Sequence, residues 1–261
     1  MDLTLGFSPC PNDTFMFAAL VNQWIDTQGL NFDVHMADVE QLNEWAGFGK
    51  LDITKMSFHR AIPLENEYQL LSTGSALGIG CGPILISKKY RSKEEIENGP
   101  VALPGQWTTA HLLFNLFYPL CHQKEFHLFS EIEKLVSDEK VVAGVIIHEN
   151  RFTYEAKGLV KINDLGEAWE TATSAPIPLG GIFADRRLDV NTIQKVDLLI
   201  RDSIHYAYNH PDQVMDYVRL YSQEMEESVM KSHIDLYVNE FSLNLGQKGH
   251  DAVAALKKSF R

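Results

Sequence analysis

The chain has 261 residues, 45% of them hydrophobic, which is enough for one large packed domain or two small ones. Its 23 basic and 35 acidic residues leave a net charge of −12, and a surface of that sign repels polyanions, which excludes nucleic acid as the expected partner. Three cysteines, Cys10, Cys81 and Cys121, match no zinc-ligand spacing and read as reduced thiols of a cytoplasmic protein.

The opening MDLTLGFSPC lacks the basic and long apolar stretches of a secretion signal. No run of about 18 apolar residues is present to span a membrane. A strand is predicted at LTLGFS, followed by a helix from Asn12 to Trp24. Alternation marks NFDVHMAD, 31–38, as a strand. QLNEWAGFGKLDITKMS, 41–57, reads as a short helix, a glycine break and a strand, with a helix starting near Ser57. STGSALGIGCGPILISKK, 72–89, is extended, apolar and glycine-rich, and APIPLGGIFADRRL, 175–188, matches it. Between them lie GPVALPG, TTAHLLFNLFY, FHLFSEIEKLVSD and VVAGVIIHEN, a further strand–helix set. The last quarter is predicted helical, with Ile193, Val196, Leu199, Ile200, Ile204 and Ala207 at helical spacing, continuing through 211–225, 230–242 and 249–260.

This alternation predicts an α/β fold. Two glycine-rich segments around a complete α/β set predict two lobes: 1–86 with 184–261, and an inserted 87–183. The crossovers would fall near 80–88 and 176–186, with a ligand cleft between the lobes. The competing reading is one doubly wound sheet whose glycines only serve turns.

Three strand–loop–helix junctions are candidate ligand sites, since helix-start amides favour a carboxylate or phosphate. In SPCPNDTFMFAAL, Asn12 or Asp13 is a candidate cap, helped by Thr14; in TKMSFHRAI it is Ser57; in LPGQWTTAHLLFNLF it is Thr108 or Thr109. Ser57 and Thr109 are expected to face each other across the cleft. Lys55 could add a positive charge, or simply close a strand as a solvated lysine. Capping residues are common at helix starts, so each junction alone reads more simply as local structure.

Among ten histidines, His148 alone follows a strongly apolar run, 141–147. An imidazole can accept a proton at neutral pH, and Glu149 or a carbonyl could orient the ring. The plainer alternative is a histidine hydrogen-bonded at a strand end. No metal, thiol, serine-hydrolase or phosphate-loop motif competes, and GIGCG is only a glycine cluster.

At these residues the sequence resembles the 1,4-dihydroxy-6-naphthoate synthases of the futalosine route to menaquinone. The segments are SPCPNDTFMF at 8–17, DITKMSFHR at 52–60, GSALGIGCGP at 74–83, LPGQWTTAHLLF at 103–114, GVIIHENRFTYEAKGL at 144–159 and DLGEAWETATSAPIPLGGI at 164–182. The resemblance implies a fold similar to periplasmic binding proteins. It implies conversion of cyclic dehypoxanthinylfutalosine to 1,4-dihydroxy-6-naphthoate and dihydroxyacetone, a carbon–carbon lyase reaction without metal or redox cofactor. It places the catalytic base at His148 and substrate contacts at Lys55, Met56, Ser57, Thr109 and Ala110. Asn12 and Thr14 are added from the helix-start reading. The expected partner is a small anionic substrate, and a homodimer is left open. The alternatives are a binding or sensor protein of the same fold and the sibling enzyme chorismate dehydratase.

Overall fold

A computed structural model describes residues 1–222 and 226–259. The predicted helical stretches 211–225 and 249–260 therefore run partly over residues 223–225 and 260, which lie outside the described residues. The chain begins with β1 (Asp2–Phe7), α1 (Pro11–Val21), β2 (Asn31–Met36), α2 (Val39–Gly47), β3 (Ile53–Ser57) and α3 (Phe58–Ala61). Short strands β4 (Tyr68–Leu70), β5 (Ala76–Gly78) and β6 (Ile84–Ser87) follow. Next come α4 (Lys93–Glu97), β7 (Val101–Leu103), α5 (Thr109–Phe117), β8 (Lys124–Phe126), α6 (Phe129–Ser137) and β9 (Ala143–Ile146). After α7 (Asn150–Thr153), β10 (Val160–Asp164), α8 (Leu165–Thr173) and β11 (Ile177–Asp185), the chain is helical: α9 (Val190–Asn209), α10 (Pro211–Tyr221), α11 (Glu227–Tyr237), α12 (Glu240–Leu243) and α13 (Gly246–Ser259).

The chain divides into two compact units, Met1–Gly78 with Pro178–His250, and Ile79–Ile177 with the segment from Asp251. These boundaries differ from 1–86, 87–183 and 184–261, for a reason visible in the strand pairing. β6 pairs with β9 and β10, so residues 84–86 belong to the second sheet. β11 pairs with β3 and β4, which carries residues 178–183 into the first.

The first unit is built on a sheet of order β2-β1-β3-β11-β4, with β5 also paired to β11. β1 runs parallel to β2 and β3, while β11 is antiparallel to β3. Helix α1 is buried from Pro11 through Leu20, so it is a core helix and not an amphipathic surface one. Phe17 of α1 stacks on Phe7 of β1 with ring centroids 4.6 Å apart. Ile193, Val196, Leu199, Ile200 and Ile204, all in α9, join the same apolar cluster, as the helical spacing predicts. A buried ion pair joins two elements of this unit. Lys55 Nζ on β3 bonds Asp13 Oδ1 on α1 at 2.8 Å, with side-chain exposures of 7% and 1%.

The second unit carries a sheet of order β10-β6-β9-β7-β8. β7 is parallel to β8 and β9, and β6 is antiparallel to β9 and β10. Ser92 and Glu95 close a capping box at α4, and Asp164 caps α8 through the amides of Gly166 and Glu167. The glycine-rich segment lies directly on α8. A Cβ on Gly82 would come within 2.5 Å of Gly166 N, so these two backbones can approach only because neither has a side chain. Gly80 N–H reinforces the contact by donating to Glu170 at 2.7 Å.

Two outcomes follow for stability. Gly82→Ala should lower the urea midpoint by the equivalent of about 1–3 kcal/mol, because backbone and not a flexible side chain must move. An unchanged midpoint contradicts that contact. Lys55→Met should cost about 3–5 kcal/mol by leaving the Asp13 carboxylate buried without its cation, whereas pairing it with Asp13→Asn should recover most of the loss. Equal stability of the single and double variants contradicts the pairing.

Candidate functional site

In the first unit, Asp13 is the organising group. Its Oδ2 accepts from Ser8 N at 3.1 Å and Ser8 Oγ at 2.7 Å. Its Oδ1 accepts from Asn12 Nδ2 at 2.8 Å and from Lys55 Nζ at 2.8 Å. Asn12 and Asp13 are therefore not caps. The cap position is Cys10, without a side-chain bond, and Pro11 opens the helix with the fixed φ that the first turn wants. Thr14 Oγ1 bonds back to the carbonyls of Cys10 at 3.0 Å and Pro11 at 3.3 Å, inside its own first turn. Asp13 thus places a carboxylate in the first turn of α1 that is spent on Ser8, Asn12 and Lys55. Lys55 is not a solvated lysine either: its ammonium is buried and held by that carboxylate.

Strand alternation places Lys55 and Ser57 on one face of β3 and Met56 on the other. All three are buried. Ser57 precedes α3, a helix of only four residues, and makes no side-chain cap. Its polar atoms go to α2 instead. Ser57 N donates to Asn43 Oδ1 at 2.8 Å, and Asn43 Nδ2 donates to Ser57 Oγ at 3.1 Å. Ser57 therefore does not cap the following helix as expected, and its amide is held by Asn43.

In the second unit, Thr108 and not Thr109 caps α5. Thr108 Oγ1 accepts from His111 N at 3.2 Å and donates to Gly105 O at 3.0 Å. Thr109 and Ala110 are the first two residues of the helix, both buried. His111 is committed elsewhere. Its Nδ1 faces the Gln106 carbonyl at 2.7 Å, which requires a proton on Nδ1, and its Nε2 faces Asn115 Nδ2 at 2.9 Å, which requires a lone pair. Burial lowers its pKa and favours this neutral form.

His148 stands two residues beyond β9, which ends at Ile146 and not at 147. Its φ is +57°, the left-handed region that non-glycine residues rarely adopt. Such strain persists only where the surroundings fix it, and helix α6 supplies the fixing. Phe129 meets the His148 ring edge-on with centroids 5.0 Å apart. Glu133, one turn further along α6, accepts from Asn150 Nδ2 at 3.0 Å and Lys157 Nζ at 2.5 Å. Arg151 continues the anchoring by donating to Gly82 O at 2.5 Å. Glu149 is buried beside the ring position in sequence.

Two thiols, Cys81 and Cys121, offer no competing nucleophile. Burial pushes Cys81 up to about 12, and burial also raises Cys121, so both are neutral thiols at physiological pH. Among the described residues, no group of three or more His, Cys, Asp or Glu side chains is arranged to hold a metal ion. No helix among them is long and apolar enough to cross a membrane.

Sequence reasoning missed Asn43 and misassigned Asp13. Asp13 was visible as a polar residue in SPCPND, but a cap reading satisfied it too cheaply. Asn43 lies in an ordinary amphipathic stretch and carries no local signal.

Comparison with known proteins agrees with these motifs. Residues 3–260 match the family described as menaquinone biosynthesis. The chain is 41% identical over 254 residues to a 1,4-dihydroxy-6-naphthoate synthase of Thermus thermophilus, spanning 97% of this chain and 92% of that one. It is 38% identical over 259 residues to the Streptomyces coelicolor enzyme of that name, spanning 97% and 91%. A crystal structure of an Archaeoglobus fulgidus protein superposes with a TM-score of 0.94 at 30% identity, covering 99% and 96% of the chains. The periplasmic aliphatic sulphonate binding protein of Escherichia coli superposes with a TM-score of 0.68 at 13% identity, covering 98% and 84%, which shows a shared fold alone. The chain belongs to the menaquinone biosynthesis family, alongside the 1,4-dihydroxy-6-naphthoate synthases.

Proposed function

We propose that this chain converts cyclic dehypoxanthinylfutalosine to 1,4-dihydroxy-6-naphthoate and dihydroxyacetone, with His148 as general base. The observation that carries the reading is the identity of 41% and 38% to two synthases of that name over nearly the whole chain. The reaction is a carbon–carbon lyase step. The base takes a proton from the substrate, the electron pair so freed forms a new π bond of the ring as the carbon–carbon bond breaks, and the pair of that bond leaves with the three-carbon fragment, which takes a proton back to become dihydroxyacetone while the ring gains aromaticity.

The local geometry supports His148 in that role. A base must sit where its ring cannot wander, and here a strained backbone, the Phe129 edge and the Glu133 anchor all restrict the loop. His111 has both ring nitrogens engaged in its neutral form and is poorly suited to the task. Lys55, Ser57, Thr109 and Ala110 are assigned to substrate binding. Met56 presents its side chain to the other face of β3, so its contribution is through backbone. Asn12 acts through Asp13, and Thr14 by shaping the first turn of α1. The substrate in this reading is a small anionic molecule.

His148→Asn keeps the size of the side chain and its capacity for left-handed backbone but removes the base. Turnover of cyclic dehypoxanthinylfutalosine, followed by appearance of the naphthoate, should fall by about 10²-fold or more. KM should stay near the wild-type value, because the binding residues are untouched. Near-normal turnover in this variant contradicts the base assignment.

A further inference from the structure

The amide of Asn43 is wholly buried against Ser57, and the direction of both bonds between them is forced. A backbone N–H can only donate, so the Asn43 atom facing Ser57 N must be the oxygen. The amide nitrogen then faces Ser57 Oγ, and that oxygen must accept. The nitrogen also reaches Glu40 Oε2 at 3.3 Å. The hydroxyl hydrogen of Ser57 is consequently turned away from Asn43. No described residue accepts it, although Ser57 is only 3% exposed. Lys55, on the same face of β3, spends one N–H on Asp13 and has others to offer.

We propose that Asn43 is a positioning residue that keeps the hydroxyl hydrogen of Ser57 unspent and available to donate, so that the substrate atom meeting Ser57 is an acceptor, a carboxylate or carbonyl oxygen. A hydroxyl carries one hydrogen and two lone pairs. Asn43 fills one lone pair with its own N–H and so cannot take the hydrogen. An oxygen lone pair of the ligand can therefore take the hydroxyl hydrogen without competing with Asn43 for it. The inference rests on the reading that Ser57 contacts the substrate of the proposed reaction.

Asn43→Asp tests it with almost no change of shape. One carboxylate oxygen still accepts from Ser57 N. The other replaces the amide nitrogen, so the Ser57 hydroxyl donates to it and turns its lone pairs toward the ligand. KM for cyclic dehypoxanthinylfutalosine should rise about tenfold or more, with kcat changed far less. Ser57→Ala should raise KM comparably, and the double variant should be no worse than the poorer single one. That non-additivity separates a flipped hydroxyl from simple charge repulsion, which would persist without Ser57. An Asn43→Asp KM within about twofold of wild type overturns the proposal, as does a double variant whose effects multiply. If Asn43→Asp does not fold, Ser57→Thr and Ser57→Ala decide. Wild-type KM in the threonine variant with a raised KM in the alanine variant supports the donor role, and wild-type KM in both overturns it. A wild-type protein that never turns over this substrate refutes the proposed reaction itself and takes this inference with it. That result is distinct from an active enzyme indifferent to Asn43→Asp.

Discussion

A charged pair inside a protein is tolerable only when both partners are held and their remaining hydrogen-bonding capacity is used, and Asp13 with Lys55 meets that condition. Four donor bonds converge on one carboxylate, from the Ser8 amide, the Ser8 hydroxyl, Asn12 and Lys55. The result ties the loop after β1, the first turn of α1 and the end of β3 to a single point. Such a pair adds little net stability over an apolar replacement, yet losing one member is severe. Its value here is geometric. It sets where Lys55 and, two residues later on the same strand face, Ser57 are presented. The Asn43 bridge then fixes the orientation of Ser57 itself.

The second unit solves a similar problem by different means. His148 lies on a loop, where side chains are ordinarily less fixed, and in a backbone conformation that costs energy for a residue with a Cβ. One face of α6 constrains it. Phe129 and Glu133 are four residues apart, so they project from the same side of the helix. One meets the histidine ring and the other grips Asn150 two residues downstream. Lys157 closes on the same Glu133 oxygen, and Arg151 ties the loop to the glycine-rich segment at Gly82. Gly82 can receive it there because its own backbone lies flat against Gly166. The glycine-rich stretch is thus a close-packed contact and not merely a turn.

What the sequence made legible is the periodic part. Alternation identified β2, short apolar-rich stretches bounded by turn residues identified β1 and β3, and the spacing of Ile193, Val196, Leu199 and Ile200 identified α9 and its buried face. The short strands β4, β8 and β10 escaped notice because polar residues interrupt them: Gln69 in β4, Lys124 and Glu125 in β8, Lys161 and Asn163 in β10. The limit of the 141–147 run was also hidden: apolar residues continue to Ile147, but the ladder stops at Ile146 because the chain turns into left-handed backbone at His148. At the candidate site, residue types were legible and their partners were not. Asp13, Lys55, Ser57 and Asn43 come together from α1, β3 and α2, and a long-range bond leaves no trace in local spacing. Thr108 was separable from Thr109 only once the helix had a defined first residue.

The central claim is that this fold, shared with proteins named for binding, carries a lyase reaction. The most direct measurement incubates purified wild-type protein with cyclic dehypoxanthinylfutalosine and, separately, with chorismate, and resolves the products by chromatography and mass. The account predicts 1,4-dihydroxy-6-naphthoate and dihydroxyacetone in equal amounts from the first substrate and no conversion of the second. Binding of the first substrate without any product, or turnover of chorismate instead, would contradict it.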